Sequence, residues 1–214
     1  KNTSISWTRG PDGTPGHTLN FWIGCHKVAP FGLEKSGCRS CYAESWAKRV
    51  GRDFSVVTRT APSTWKQAEK WNRQTPGAKV FTNSLSDFFH VSADHWRTEA
   101  WHVIHQTPNL TWQILTKRPE RIAEHLPVVS TGEGTNYYDP SWPWKNVWLG
   151  TSVENQRCAD LRIPQLLSVP AKVHFLSVEP LLSPIDLVRY MRPSSAHKAI
   201  DLVIVGGESG PNHR

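Results

Sequence analysis

Residues 146–168, NVWLGTSVENQRCADLRIPQLLS, join a short apolar run to a longer stretch of mixed polarity. The run 146–154 is almost continuously apolar, which is typical of a strand buried on both faces of a parallel sheet. The stretch 154–168 has the length and apolar spacing of a helix. Because a strand followed directly by a helix is the repeating unit of parallel α/β sheets, this segment predicts an α/β fold.

The same pattern recurs along the chain. Five more strand-like runs are found at 18–24, 78–84, 110–117, 172–179 and 201–208. Further helices are predicted at 42–51, 92–107 and 118–126, with a weaker segment after Pro184. Six strands joined by right-handed crossovers predict a partial (β/α)6 barrel of parallel strands.

The chain length predicts one domain over residues 1–214. We expect the natural protein to extend beyond both ends of this sequence, because it begins at Lys1 without a Met and stops just after an apolar run. The segment 130–146 is rich in Gly, Pro and aromatic residues and is predicted to be an inserted loop, either a substrate lid or a loop without a role. Within it, Trp142 and Trp144 are predicted to be available to a ligand.

Charge and composition limit the possible partners. The net charge is +7, which favours a polyanion such as nucleic acid, although a merely basic soluble protein has the same balance. No run of about 18 apolar residues and no signal peptide is present, so no membrane partner is expected and we predict a cytoplasmic protein. Five cations near the cysteines and the third strand are candidate phosphate contacts: Arg39, Lys48, Arg49, Arg118 and Arg121.

Polar side chains end each predicted strand. The runs finish in TNSLSD, LTKRP, TSVEN, LSVEP and GGESG. The carboxyl ends of parallel strands meet at one edge, where ligands of α/β folds bind. Helix caps would also place polar residues there. The pattern favours one shared pocket.

Three cysteines lie close together in the sequence, at Cys25, Cys38 and Cys41. A disulfide is not expected, because the number is odd and cytoplasmic thiols stay reduced. Structural zinc needs a fourth ligand, for which His26, His90 and Cys158 are candidates. A four-iron cluster with three thiolate ligands is the other possibility, since one iron is then left without a protein ligand.

The cysteine triad, with CRSCY leading into a helix, resembles the radical S-adenosylmethionine superfamily. That resemblance implies a [4Fe-4S] cluster whose fourth iron chelates S-adenosyl-L-methionine. It also implies a 5′-deoxyadenosyl radical that abstracts a substrate hydrogen, and an electron donor such as flavodoxin or ferredoxin. The first gap in this chain is twelve residues, whereas the superfamily usually has three.

More narrowly, the blocks CYAE, FTNSLSDFF, LTKRPER, VWLGTSVENQ, FLSVEPLL and VIVGGESG resemble a phage-encoded three-cysteine group associated with thymidine hypermodification. Spore photoproduct lyase is similar at a greater distance. The resemblance implies a bacteriophage isomerase, working in the host cytoplasm, that rearranges an N-linked glycyl-thymidine in DNA to its carbon-linked form. A radical lyase that repairs DNA lesions is an alternative.

The resemblance also implies roles for the strand-end residues. We expect Tyr42 near the cofactor and Lys117 on the methionine carboxylate. The end of the fourth strand is expected to hold the ribose or carboxylate through Ser152, Glu154 and Asn155. Acceptors for the methionine ammonium are expected at the end of the second strand, from Asn83, Ser84 and Asp87.

Three further residues are candidates for catalysis. Glu179 and Glu208 would accept a substrate ammonium or a proton. Cys158 would return a hydrogen atom in a lyase, or else is a small buried residue with no such role. Two other readings of the chain remain open: a zinc-stabilised nucleic-acid binding protein without catalysis, and a hydrolase that relies on the carboxylates alone.

Overall fold

The computed structural model describes residues 3, 5–130, 136–193 and 198–208. Six strands form a parallel sheet in the order β1 (His17–Leu19), β4 (Lys79–Thr82), β5 (Thr111–Thr116), β8 (Val147–Ser152), β9 (Val173–Val178) and β10 (Leu202–Val205). Every described pairing in this sheet is parallel. The predicted partial (β/α)6 barrel is confirmed.

Five α-helices and two small hairpins complete the described part of the chain. The helices are α1 (Tyr42–Arg49), α2 (Pro62–Trp65), α3 (Gln67–Gln74), α4 (Asp94–His105) and α5 (Gln156–Leu167). The hairpins pair β2 (Trp22–Ile23) with β3 (Thr58–Arg59), and β6 (Val128–Ser130) with β7 (Asn136–Tyr138). None of the helices in the described ranges is long and apolar enough to cross a membrane.

The strands alternate between two environments. One set of side chains joins the core under the helices, and it includes Val80, Ile114, Leu149 and Leu176. The alternate set faces the concave side of the sheet and lines a cavity, and it includes Phe81, Leu115, Ser152 and Ser177. This period of two is the geometry of a pleated strand, and it sends the polar strand-end residues into the cavity.

The predicted strand 18–24 is wrong as one element. The chain leaves the main sheet after Leu19 because the amide of Phe21 donates to the side-chain Oδ1 of Asn83 at 2.8 Å, in place of a strand partner. The chain then continues as β2, outside the main sheet. The change of direction carries the following cysteine segment toward the carboxyl edge.

Two predicted helices are not α-helices. Residues 118–126 form two 3-10 turns, Pro119–Arg121 and Ala123–His125, and Leu126 is extended because proline follows it. Within residues 185–193, which the structure describes, the weaker segment after Pro184 contains only the 3-10 turn Val188–Tyr190. Conversely, α2 and α3 were not predicted; α3 is short and polar, with Ala68 and Trp71 as its buried residues.

The two tryptophans of the predicted insertion pack against the core. Trp142 and Trp144 both lie edge-on to Trp101, with ring centroids 5.6 and 5.8 Å away. The Nε1 atom of Trp142 also donates to the carbonyl of Pro170 at 2.8 Å. The prediction that these rings are available to a ligand is therefore wrong for Trp144, which is buried, whereas Trp142 is half-buried. Residues 131–135 of the predicted lid lie outside the described residues, so the lid stays a prediction.

Candidate active site

A cavity of about 610 Å³ opens at the carboxyl edge of the sheet. All but three of the residues predicted for the site line this cavity: Cys25, Cys38, Cys41, Tyr42, Asn83, Ser84, Asp87, Lys117, Ser152, Glu179 and Glu208. The three exceptions are Glu154, Asn155 and Cys158. A smaller cavity of about 420 Å³ lies beside Phe31 and Arg157 and contains no cysteine. The larger one is the candidate site.

All three clustered cysteines are free thiols and partly exposed. Two of them receive hydrogen-bond donors at sulfur: the amide of Val28 lies 3.5 Å from Cys38 Sγ, and Arg118 Nη1 lies 3.7 Å from Cys25 Sγ. Donors of this kind stabilise a thiolate and tune an iron–sulfur cluster. The donor set therefore fits an iron–sulfur cluster with three protein ligands.

The protonation of Cys25 depends on what binds there. Burial, together with the nearby charge of Asp87, raises the pKa of its thiol to about 12, although the charge of Arg118 opposes the shift. Without a metal the sulfur is protonated at neutral pH. A coordinating metal deprotonates a thiol outright, so a bound cluster would supply the stabilisation that the protein alone does not.

The described residues do not favour a single metal ion. Within these ranges, no three His, Cys, Asp or Glu side chains are grouped closely enough to hold one ion. Of the possible fourth zinc ligands, Cys158 is buried away from the cavity. The Nε2 atom of His26 already lies 3.0 Å from the carbonyl of Ser55. The Nδ1 atom of His90 accepts from the amide of Ser92 at 3.1 Å, so a neutral His90 ring carries its proton on Nε2. The arrangement fits a multi-iron cluster better than tetrahedral zinc.

Asp87 and Arg118 form a buried ion pair in the wall of the cavity. Asp87 Oδ2 accepts from Arg118 Nη1 at 3.0 Å and from the amide of Lys117 at 2.9 Å. Its Oδ1 accepts from Thr116 Oγ1 at 2.7 Å and from the amide of Phe89 at 2.9 Å. Burial opposes ionisation, but these partners outweigh it and hold the pKa of Asp87 below its usual value. Both oxygens are thus already engaged with protein donors.

Arg118 connects this carboxylate to the first cysteine. Its Nη2 donates to the carbonyl of His26 at 2.7 Å, and its Nη1 reaches both Asp87 and Cys25. Its side chain is only 12% exposed. Arg118 therefore holds the start of the cysteine segment. It and Arg121, which pairs with Asp94, are not the phosphate contacts that the sequence predicted.

Asn83 presents a donor to the cavity. Because the amide of Phe21 donates to Oδ1, the orientation of the side-chain amide is determined, and Nδ2 is buried without a partner in the described structure. The backbone of Asn83 has a φ of 55°, which asparagine tolerates better than most residues. The atom left available is a donor, so Asn83 suits an anionic or carbonyl oxygen and not the ammonium that the sequence predicted for it.

Lys117 adds a positive charge to the same wall. Its ammonium has no hydrogen bond or ion pair within the described ranges. Burial opposes ionisation of Glu154, but the charges of Lys117 and Arg162 outweigh it and lower the pKa of that carboxyl. Together, Lys117 and the amide of Asn83 provide two donors for an anionic group, and the contact of Lys117 with a methionine carboxylate stays a prediction.

Tyr42 and the two predicted catalytic glutamates also line the cavity. The hydroxyl of Tyr42 donates to the carbonyl of Ser84, which ties α1 to the end of β4. Burial of this hydroxyl, helped by the nearby Cys41 and Glu179, raises the pKa of Tyr42, so it stays neutral. Glu179 follows β9 and Glu208 follows β10, and both line the cavity.

Glu154 and Cys158 lie behind the cysteine segment, outside the cavity. Glu154 is fully buried, and its Oε2 pairs with Arg162 Nη1 at 2.7 Å. Cys158 lies in the first turn of α5, where burial and Glu154 raise its pKa to about 11. Neither residue contributes to the cavity surface, so a direct contact with cofactor or substrate stays a prediction for both.

Sequence reasoning missed the apolar floor of the cavity. Trp7 lies edge-on to Phe81 with ring centroids 4.7 Å apart, and its ring is 6.3 Å from that of Phe175. Gly150 leaves room for Phe175, since a Cβ there would lie 2.5 Å from the ring. The sequence analysis did not assign Phe81 or Phe175 to a face, because their strand runs are almost continuously apolar, and no pattern indicated that Trp7 would cover them.

Surface ion pairs also limit the predicted phosphate contacts. Arg39 pairs with Glu34 at 2.5 Å, and Lys48 pairs with Glu44 at 3.3 Å. The side chains of Arg39 and Lys48 are 45% and 73% exposed, so these cations could exchange their partners for phosphate at little cost. Arg49 has no ion pair in the described part of the chain. Arg39, Lys48 and Arg49 remain the candidates of that set.

Comparison with known proteins adds a family and a fold. The family described as "Protein of unknown function (DUF5131)" matches residues 2–214. No curated protein matches the chain significantly. Among solved structures, spore photoproduct lyase complexed with dinucleoside spore photoproduct is similar, with a TM-score of 0.51 and 15% identity over 84% of this chain and 48% of that chain.

A second structure of spore photoproduct lyase, a cysteine-to-serine mutant, is similar to the same degree, with a TM-score of 0.51 and 15% identity over 84% of this chain and 49% of that chain. The chain thus spans about half the length of these structures. At this identity, the likeness establishes a common fold.

Proposed function

We propose that this chain, which belongs to the DUF5131 family, is a radical S-adenosylmethionine enzyme that acts on DNA. One observation carries the proposal: three free cysteines line one cavity at the carboxyl edge of a parallel six-stranded sheet, together with Lys117 and the unpartnered Nδ2 atom of Asn83. The fold shared with spore photoproduct lyase supports the same class, since that lyase is complexed with a dinucleoside spore photoproduct.

The residues of the cavity divide into three groups. Cys25, Cys38 and Cys41 would hold a [4Fe-4S] cluster, which together with S-adenosyl-L-methionine supplies radical hydrogen abstraction when both are bound. Lys117 and the Asn83 amide would bind the methionine carboxylate. Tyr42, Ser84 and Ser152 are proposed as further cofactor contacts.

The substrate side of the cavity is assigned to the glutamates. Glu179 and Glu208 would hold a substrate ammonium or take up a proton, while the apolar floor with Trp7 and Phe81 excludes water from the reacting atoms. The cavity lies inside the fold, so a base would have to leave its stack to enter it. The net charge of +7 favours a DNA partner.

The finer proposal is an isomerase that converts an N-linked glycyl-thymidine in phage DNA to the carbon-linked form. The blocks of sequence similar to the phage-encoded group support it. A substrate ammonium or amine would find its acceptor in Glu179 or Glu208. An electron donor such as flavodoxin or ferredoxin belongs to the same proposal.

A repair lyase is the second candidate, favoured by the structural likeness to a lyase with a bound photoproduct. The two candidates predict different products. An isomerase gives a nucleoside of unchanged mass with a new chromatographic position and fragmentation, whereas a lyase restores two thymidines from a cross-linked pair.

The test begins with the chain reconstituted anaerobically with iron and sulfide. We expect about four irons per chain, and 5′-deoxyadenosine when S-adenosyl-L-methionine and a reductant are added. Cys41→Ser should lose the iron, whereas Cys158→Ala, which alters a buried cysteine outside the cavity, should keep it. DNA carrying the glycyl-thymidine or the photoproduct is then supplied. Its nucleosides are separated by chromatography and identified by mass spectrometry. A chain that binds zinc and no iron would refute the class.

A further inference from the structure

The segment between Cys25 and Cys38 is unusually long for a loop that must place two ligands of one cluster. Twelve residues separate the two cysteines. Ordering a loop of this length costs conformational entropy, and the cost grows with each additional mobile residue. The loop has internal bonds, such as Ser36 Oγ to the carbonyl of Val28 at 2.8 Å and the amide of Cys38 to Ser36 Oγ at 3.1 Å. These bonds shape the loop but do not attach it to the barrel.

Asn155, at the junction of β8 and α5, makes one attachment. Its Oδ1 accepts from the amide of Cys158 at 3.0 Å and caps α5. This bond determines the orientation of the side-chain amide, so Nδ2 points the other way and donates to the carbonyl of Lys35 at 2.9 Å. One side chain therefore links the helix start to the cysteine loop.

Glu154 makes the second attachment, one residue earlier. Its Oε1 accepts from the amide of Gly37 at 3.2 Å, while its Oε2 is held by Arg162. The side chains of Glu154 and Arg162 are 0% and 2% exposed. Arg162 Nη1 also donates to the carbonyl of Ser152 at 2.7 Å. The carboxylate that receives Gly37 is therefore fixed in the core of the fold.

Gly37 allows the cysteine loop to approach Pro180 and Glu154 closely. A Cβ at this position would lie 2.8 Å from Pro180 Cδ and 3.2 Å from Glu154 Cγ. Its φ is not among the positive values of the chain, so the requirement is one of space and not of backbone conformation. Cys38 follows directly, and the loop is thus pressed onto the β8 and β9 ends immediately before the second cysteine.

We propose that Glu154, Asn155 and Gly37 are positioning residues that dock the long loop so that Cys38 faces the cavity. This proposal rests on the proposed function, because Cys38 needs to be positioned only if the cysteines hold a cluster. It also gives Glu154 a role at its place outside the cavity, where it acts on the cysteine loop through the amide of Gly37.

Two substitutions test the docking without removing the buried carboxylate, whose loss would leave Arg162 without a counterion and destabilise the whole fold. Asn155→Asp keeps the acceptor that caps α5 and replaces the donor with an oxygen that repels the carbonyl of Lys35. Gly37→Ala adds only a methyl group. Asn72→Asp is the matched control, since its Oδ1 keeps its role as acceptor for the amide of Asn109.

The first readout is hydrogen exchange of residues 26–37 in the metal-free full chain. In Asn155→Asp we expect exchange to be at least about fivefold faster, which is the factor that corresponds to one lost hydrogen bond. Exchange should also be faster in Gly37→Ala, and it should be unchanged in Asn72→Asp. The second readout is the iron retained after reconstitution and gel filtration, which we expect to fall in the first two variants alone.

Unchanged exchange in both loop variants would overturn the proposal. Faster exchange with iron retention equal to that of the unmodified chain would also overturn it, because docking would then not place Cys38. If the unmodified chain retains no iron, the proposed function fails separately. The exchange measurement still decides in that case whether these residues dock the loop.

Discussion

Replacing Asp87 with asparagine should destabilise the fold strongly, because the carboxylate is a buried counterion. Four donors converge on it, and the side chains of Asp87 and Arg118 are only 7% and 12% exposed. Asparagine keeps one acceptor oxygen and turns an NH₂ group toward donors that need an acceptor. Arg118 is then left buried without a counterion.

The expected cost follows from these contacts. Removing one member of a buried ion pair costs about 3 to 5 kcal/mol. With a urea dependence of about 2 to 3 kcal/mol per molar, the unfolding midpoint should fall by roughly 1 to 2 M. Substituting both partners, as in Asp87→Asn with Arg118→Met, should recover part of this loss, because no uncompensated charge remains buried.

The assay is urea unfolding of the metal-free chain followed by tryptophan fluorescence, for which the chain offers eleven tryptophans. Asp12→Asn is the control, since it changes the net charge equally in an exposed turn that makes no ion pair among the described residues. If Asp87→Asn shifts the midpoint no more than this control does, the buried pair does not stabilise the fold as argued.

Three further predictions test other parts of the structure. Lys117→Met should weaken binding of S-adenosyl-L-methionine to the reconstituted chain about tenfold or more, as measured by calorimetry, while Lys172→Met on the surface should not. Gly150→Ala should cost about 1 to 3 kcal/mol of unfolding free energy, seen as a lower thermal midpoint, because its methyl group meets Phe175; an unchanged midpoint would contradict this packing. Burial lowers the pKa of His174, so the unfolded state takes up the proton first and stability should fall below about pH 6.5, by at most ~1.4 kcal/mol per pH unit, with a shallower fall in His174→Gln.

Much of the site could be predicted because strand ends in a parallel sheet share an edge. The residues Asn83, Lys117, Ser152 and Glu179 end four different strands, and the rule placed them in one cavity without any knowledge of distances. The alternation along each strand then decides which side chain at an end turns inward. The rule failed for Glu154, which lies two residues beyond Ser152, the end of its strand. The chain is already turning into α5 there, so the side chain of Glu154 does not line the cavity.

Arg118 shows why charge patterns are poor guides to function. In the sequence it is one of several basic residues near a helix start, and it was predicted to contact phosphate. In the structure it is buried between Asp87 and Cys25. Asp87 lies thirty-one positions earlier in the chain. Such a pairing depends on long-range geometry that no local pattern encodes.

The amino-acid sequence by itself determined the class of fold and the chemistry available, because buried parallel strands and thiol ligands are properties of residue type and spacing. Only the tertiary structure decided which polar atoms remain available. The amide of Phe21 donates to the side-chain oxygen of Asn83, so only the side-chain nitrogen of Asn83 remains available. Glu154 and Asn155 bind the cysteine loop and do not line the cavity. The physical reason is that each donor or acceptor can be satisfied by residues distant in the chain, and only folding brings those residues together.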